Sequence, residues 1–181
     1  MRTIILYITI ITSFSWNILN NANTIQKMSC HTYTPTKHIS LPQNKKIVLV
    51  GGCFDILHFG HIQFLEKAKQ AGDYVIVALE PDERIIHHKK RTPTHSQEER
   101  AHNLLALRFV DHIILLPLLN GFDDYLALVK AISPNVIAVT SNDPQLANKE
   151  KQAHFIGAEL MIVNDRIEHL SSSAIYQHHM D

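Results

Sequence analysis

From Lys46 onward the chain alternates between short apolar runs and longer stretches of mixed polarity. Ile47-Val48-Leu49-Val50 is unbroken and largely β-branched, the pattern of a strand buried on both faces. Gly51-Gly52 ends it. After Gly60, the apolar residues Ile62, Phe64, Leu65, Ala68 and Ala71 recur at helical spacing, and Gly72 supplies a stop. Tyr74 to Leu79 is a second apolar run. Pro81 to His95 is polar and basic and reads as a loop. Ser96 followed by Glu99 has the form of a capping box, opening a helix that carries Ala101, Leu104, Leu105 and Leu107. His112 to Leu116 forms a third strand, stopped by Pro117. A helix follows from Asp123 to Ile132, then a strand over Val136 to Val139. A further helix runs from about Gln145 to Phe155 and ends near Gly157. Leu160 to Val163 is the fifth strand, and Ser171-Ser172-Ser173 would cap a short last helix.

Strand and helix thus alternate five times. Units of this length imply a parallel sheet with helices on both faces, joined by right-handed crossovers. The expected fold is α/β, a Rossmann-like, doubly wound, five-stranded parallel sheet of order 3-2-1-4-5 in a single domain over residues 46–181. Ligands of such sheets bind beyond the carboxyl ends of the strands, at the switch point. That directs attention to the loop after the first strand.

Residues 1–45 differ in character and read as a tail or linker. Met1-Arg2 precedes the apolar run Ile4 to Ile11, and a stretch rich in Asn and Thr follows. This is the outline of a secretory signal, but the run is too short and too interrupted to predict a membrane span. Translation from Met28 is the competing reading.

Composition narrows the chemistry. The 181 residues carry 17 Lys plus Arg and 17 Asp plus Glu, a formal net charge of zero, which speaks against a dedicated nucleic-acid binder. The two cysteines, Cys30 and Cys53, exclude a disulfide framework and a four-cysteine zinc site. The 13 histidines are scattered, a weak metal signal on composition alone.

The loop after the first strand reads Gly51-Gly52-Cys53-Phe54-Asp55-Ile56-Leu57-His58-Phe59-Gly60-His61. The glycines permit a tight turn and close approach of a ligand to the backbone. His58 and His61 flank Gly60 at a helix start, where unpaired N–H groups and the positive end of the helix dipole suit a phosphate. Gly60 leaves room for it. Two plainer readings stand beside this one: the histidines cap the helix, or they ligate a metal with Asp55 or another histidine. Neither a Walker loop nor a Gly-x-Gly-x-x-Gly fingerprint is present.

The stretch resembles the His-x-Gly-His signature of the cytidylyltransferase-like nucleotidyltransferases. Its flanks, with Leu65 to Lys69 in the helix, are similar to the subgroup of glycerol-3-phosphate cytidylyltransferase, heptose-1-phosphate adenylyltransferase and archaeal-type FAD synthetase. Gly72-Asp73, Gln97 to Arg100, Val110-Asp111 and Leu170 to Ile175 fit the same pattern, so the resemblance spans about Lys46 to Tyr176.

The resemblance implies transfer of AMP or CMP from ATP or CTP to a phosphorylated small molecule such as a sugar or polyol phosphate, releasing pyrophosphate. It implies catalytic roles for His58, His61 and Lys90, the last preferred over Lys89 within the basic run His87 to Arg91. It assigns Gly52, Cys53, Phe54, Asp55, Gly60, Asp143, Arg166, Ser171 and Ser172 to the nucleotide and Arg100 to substrate phosphate. Arg100 could instead pair with a glutamate on its helix. Mg²⁺ is expected to arrive with the triphosphate, with no dedicated metal site. A homodimer is the default expectation, with neither nucleic-acid nor membrane partners. A triphosphate substrate favours a cytoplasmic location and a start at Met28.

Two departures stand out. Relatives carry Gly-Asp-Asp-Trp or similar after the fourth strand, where this chain has Thr140-Ser141-Asn142-Asp143-Pro144. Ala174 replaces a basic residue of the final motif. They keep open a second class, a nucleotide-binding regulator that has lost turnover. A flavin-binding or redox α/β protein is a third.

Overall fold

A computed structural model describes residues 29–36 and 39–165. The readings made for the N-terminal run before Ser29, and for Arg166, Ser171, Ser172 and the last helix, fall outside these residues. Six parallel strands, β1 (Ser29–Thr32), β2 (Ile47–Gly52), β3 (Tyr74–Leu79), β4 (His112–Leu115), β5 (Val136–Thr140) and β6 (Glu159–Asn164), lie in the order β1-β4-β3-β2-β5-β6. The five-strand order expected from the sequence is present as β4-β3-β2-β5-β6.

The sixth strand, β1, corrects the expected strand count and comes from the stretch read as a tail or linker. Its sequence, Ser29-Cys30-His31-Thr32, has no apolar run to announce it. The edge strand is held by pairing to β4, by the Tyr33 N–H donating to the Leu115 carbonyl at 2.8 Å, and by burial of Tyr33 and Ile39. His112 Nε2 also lies 2.8 Å from His31 Nδ1.

Helices α1 (Phe59–Gln70), α2 (Asp82–Lys89), α3 (Gln97–Leu105), α4 (Gly121–Ile132) and α5 (Leu146–Ile156) connect the strands. The helix α2 lies in the segment expected to be loop. Only Ile85 is buried on it, so no apolar stripe marks it in the sequence. Asp82 and Glu83 in its first turn and His87, His88 and Lys89 in its last complement the helix dipole. Lys90 ends it at φ 52°. In α3 the capping box forms as read: the Glu99 N–H donates to Ser96 Oγ at 3.3 Å and the Ser96 N–H to Glu99 Oε2 at 2.9 Å.

Alternate residues of the continuous strand runs face opposite layers. Leu49, Ile76, Ile114 and Ile137 pack with Leu128, Val129 and Ile132 of α4. Val48, Val50, Val75, Val77 and Ile113 pack with Leu65 of α1 and Leu104 of α3 on the other side. Fully burying each such side chain contributes about 1.5–3 kcal/mol. Gly72 is needed for space rather than for conformation: a Cβ there would lie 2.6 Å from both the Lys46 carbonyl oxygen and Val48 Cγ2. No helix among the described residues is long and apolar enough to cross a membrane.

The register positions the site. Strands β2 and β3 pair over six positions, from Ile47↔Tyr74 to Gly52↔Leu79. Strands β2 and β5 pair only at Val48↔Val136 and Leu49↔Ile137. Beyond Leu49 the ladder is not continued, at the point where the strand order reverses. This is the crevice that doubly wound sheets offer to ligands.

Candidate active site

The chain leaves β2 through Gly51-Gly52 and turns sharply at Phe54, whose φ is 46°. Such a conformation costs a non-glycine residue roughly 1–3 kcal/mol and persists only when its surroundings enforce it. Here the Phe54 ring is buried at 5% exposure and lies 5.0 Å from the His61 ring. A Cβ on Gly52 would sit 2.9 Å from Phe54 Cε2, so the absent side chain makes room for that ring. Asp55, 1% exposed, accepts the Thr94 N–H at 2.8 Å and pairs with Arg91 at 2.5 Å. Its carboxylate therefore fastens the segment after α2 to the turn.

His58 is the N-cap of α1, with extended backbone at φ −140° and no capping bond from its side chain. The N–H groups of His61 and Ile62 turn back to its carbonyl at 3.0 and 3.2 Å. This leaves both imidazoles clear of the cap. They stack with centroids 3.8 Å apart and an interplanar angle of 24°. Gly60, half-buried, lies between them in the first turn. Among the described residues, His58 Nδ1 is buried with no hydrogen-bond partner.

Burial is the main cause that pushes the His61 pKa down to about 3, with His58 beside it; a hydrogen bond to the Ile56 backbone opposes the shift and the Lys89 charge reinforces it. Burial, then Lys89, also lowers His58. Both rings are therefore neutral at pH 7 in the free protein, each with one donor and one acceptor nitrogen.

The lysine whose field reaches both histidines is Lys89, the last residue of α2, and it also acts on Cys53. Lys90, the one preferred from the sequence, is exposed on the left-handed residue that follows. Nothing in the spacing separates two adjacent lysines; a helix ending between them does.

Arg100 is placed differently from a substrate contact. Its side chain is 0% exposed and pairs with Asp82 at 2.6 Å. It donates through Nη1 to the Cys53 carbonyl and through Nε to the His95 carbonyl at 3.2 Å. Its partners lie within the protein, and it ties α3, α2 and the turn at Cys53 together. Asp143 stands at the carboxyl end of β5, but its carboxylate accepts the Gln145 N–H at 2.7 Å and pairs with Lys149 at 2.7 Å. Cys53 is a half-buried free thiol whose pKa is raised, chiefly by burial and then by Glu80.

The structure thus gathers Gly52, Cys53, Phe54, Asp55, His58, Gly60 and His61 at the first βα turn. Sequence reading weighed Lys89 but ranked it behind Lys90, gave Arg91 no role beyond the basic run, and missed Asp82. Asp82 and Arg91 belong to pairings between distant segments, for which the chain gives no local signal. Among the described residues no three His, Cys, Asp or Glu side chains come together as a metal site.

The family model described as cytidylyltransferase-like matches residues 49–178. The chain is 44% identical over 126 residues to the FAD synthase of Thermococcus kodakarensis, spanning 66% of this chain and 80% of that protein. It is 41% identical over 95 residues to the bifunctional protein HldE of Campylobacter jejuni, which is 52% of this chain and 20% of that protein. Among solved structures, the lipopolysaccharide core biosynthesis protein from Thermoplasma volcanium aligns with a TM-score of 0.54 at 25% identity, over 67% of this chain and 97% of that one.

Proposed function

The chain belongs to the cytidylyltransferase-like family of nucleotidyltransferases, and from that premise we propose that it transfers AMP from ATP to a phosphorylated small molecule. The observation that carries this reading is the stacked His58–His61 pair at the start of α1, within the field of Lys89, where β2 and β5 part. The name of one relative, FAD synthase, favours ATP over CTP and FMN as acceptor, and the resemblance to heptose-1-phosphate adenylyltransferase keeps a sugar phosphate beside it.

An acceptor phosphate oxygen forms a bond to the α-phosphorus while the bond to the bridging β-phosphate oxygen breaks. Pyrophosphate leaves with that electron pair. The acceptor is already ionised at neutral pH, so positioning and charge stabilisation carry the catalysis. His58 and His61 donate N–H groups to the α-phosphate region, and Lys89 faces the charge that accumulates on the leaving group. Backbone groups of Gly52, Cys53 and Phe54 line the turn, Asp55 and Arg100 hold its shape, and Asp143 borders the base side of the crevice. Arg166, Ser171 and Ser172 complete the nucleotide site in this reading. The carboxylates near the turn are engaged in pairing, which favours Mg²⁺ entering with the triphosphate as part of the substrate. Dependence on a triphosphate favours a cytoplasmic setting.

The test is pyrophosphate release from ATP and CTP against FMN, sugar phosphates and polyol phosphates. Release with ATP and one acceptor class is the expected result. Tight ATP binding with no release from any acceptor would sink the enzyme reading and establish the regulator to which the Thr140 to Pro144 segment points.

A further inference from the structure

The helix α2 ends at Lys89, whose charge acts on both histidines, but it is weakly rooted. Ile85 is its one buried residue. One apolar side chain is little purchase for an eight-residue helix whose orientation matters. Polar clasps supply the rest. At the N-terminal end, Asp82 meets Arg100. Two residues on, Arg84 enters a second, larger clasp. Its Nε lies 3.4 Å from Glu80 Oε2, and its Nη2 donates to the Tyr125 hydroxyl at 3.0 Å and to the Leu119 carbonyl. The Tyr125 hydroxyl in turn donates to Glu80 Oε1 at 2.7 Å. The guanidinium carbon is 5.9 Å from the Tyr125 ring centroid, and His88 Nε2 lies 3.1 Å from Arg84 Nη1.

Both partners of the ion pair are largely buried, with side-chain exposures of 20% for Arg84 and 14% for Glu80. Burial and Glu80 push the Tyr125 pKa up, so its hydroxyl keeps the proton it donates. The clasp joins three elements: Glu80 follows β3, Arg84 lies on α2 and Tyr125 on α4. None of the three belongs to the nucleotide-facing turn. Arg84 and Lys89 lie on the same short helix, so a tilt of α2 carries both.

We propose that the Glu80–Arg84–Tyr125 clasp is a positioning device that fixes the orientation of α2 and so sets Lys89 against His58 and His61. Its catalytic consequence rests on the nucleotidyl-transfer reading, whereas its structural content does not. The charges that act on the histidine pair are Lys89 from α2 and, for His61, the neighbouring His58 on α1. Glu80, Asp55 and Arg100 act on the adjacent Cys53. A retreat of Lys89 therefore registers in the histidines themselves.

The experiment follows the His58 and His61 ring resonances by NMR across pH in the full chain, in Arg84→Met, Lys89→Met and the double variant. Lys89→Met moves both histidines to titrate at higher pH. Arg84→Met moves them the same way, and the double variant moves them no further than Lys89→Met alone. A folded Arg84→Met protein with native histidine titration overturns the proposal. So does an Arg84→Met effect of equal size with Lys89 already absent. If Arg84→Met does not fold, Tyr125→Phe, which keeps the ring and loses the bridging hydroxyl, makes the same comparison. In turnover, Arg84→Met lowers kcat about tenfold through Lys89 with the KM for ATP little changed, and the double variant shows no added loss. Histidine titrations that respond in a protein releasing no pyrophosphate retire the transfer reading and leave the clasp. Turnover with unresponsive titrations does the reverse.

Discussion

Replacing Arg100 with Met separates two roles that predict opposite outcomes. A substrate-binding arginine can be removed with little cost to the fold and a large cost to acceptor KM. A buried staple does the opposite. The Arg100 side chain is 0% exposed, and its removal leaves Asp82, the Cys53 carbonyl and the His95 carbonyl without their donor. Breaking a buried ion pair from one side costs about 3–5 kcal/mol. Asp82 is 35% exposed, so water partly screens the charge left behind, and about 3 kcal/mol is the better figure. For a chain of this size each kcal/mol lowers Tm by roughly 2–4 °C, giving a drop of roughly 6–12 °C. Asp82→Asn keeps the shape and one acceptor and should cost about 1 kcal/mol. Urea unfolding of both variants, with acceptor KM measured on the folded fraction, checks the ordering. An Arg100→Met protein with native Tm and a sharply raised acceptor KM would refute the staple and restore the arginine to the substrate.

Removing either stacked imidazole, His58→Ala or His61→Ala, should lower turnover about 10²–10³-fold while weakening ATP binding much less, read from single-turnover kinetics beside binding titrations. Near-native turnover in both variants would deny the pair its role. Acid should destabilise the free protein. His61 and His112 titrate at about 3 and about 4 when folded, against 6.5 unfolded, both chiefly through burial, with His58 facing the first and His31 the second. The unfolded chain therefore binds more protons below pH 6.5, so stability is full above that pH and falls as pH drops toward the folded values. The loss is at most about 1.4 kcal/mol per group per pH unit. A urea midpoint as high at pH 5 as at pH 7.5 would contradict the assignment.

The parts of this molecule that were legible in its sequence are those whose cause is local. The β-branched run Ile47 to Val50 predicts a strand because two-sided burial leaves no polar position, and both of its faces are packed. Ser96 and Glu99 announce a helix start because the box closes within four residues. The turn from Gly51 to His61 was legible for the same reason, since its glycines, cap and histidines act on their immediate neighbours. What escaped has a cause elsewhere in the chain. Strand β1 is polar and exists because β4 offers an open edge. Helix α2 has one buried residue and is held by arginine clasps reaching Glu80, Leu119, Tyr125 and Asp82. Arg100 could be read as a phosphate ligand or as paired to a glutamate on its own helix because sequence shows charge and not burial, and its partner Asp82 lies 18 residues away. The same blindness favoured Lys90 over Lys89, since a helix held by distant residues ends between them, and it is the Lys89 charge that acts on the histidines. Charged side chains are thus where motif reading and packing diverge most. An arginine or lysine beside a phosphate-binding turn serves the ligand or the fold according to which acceptors already surround it.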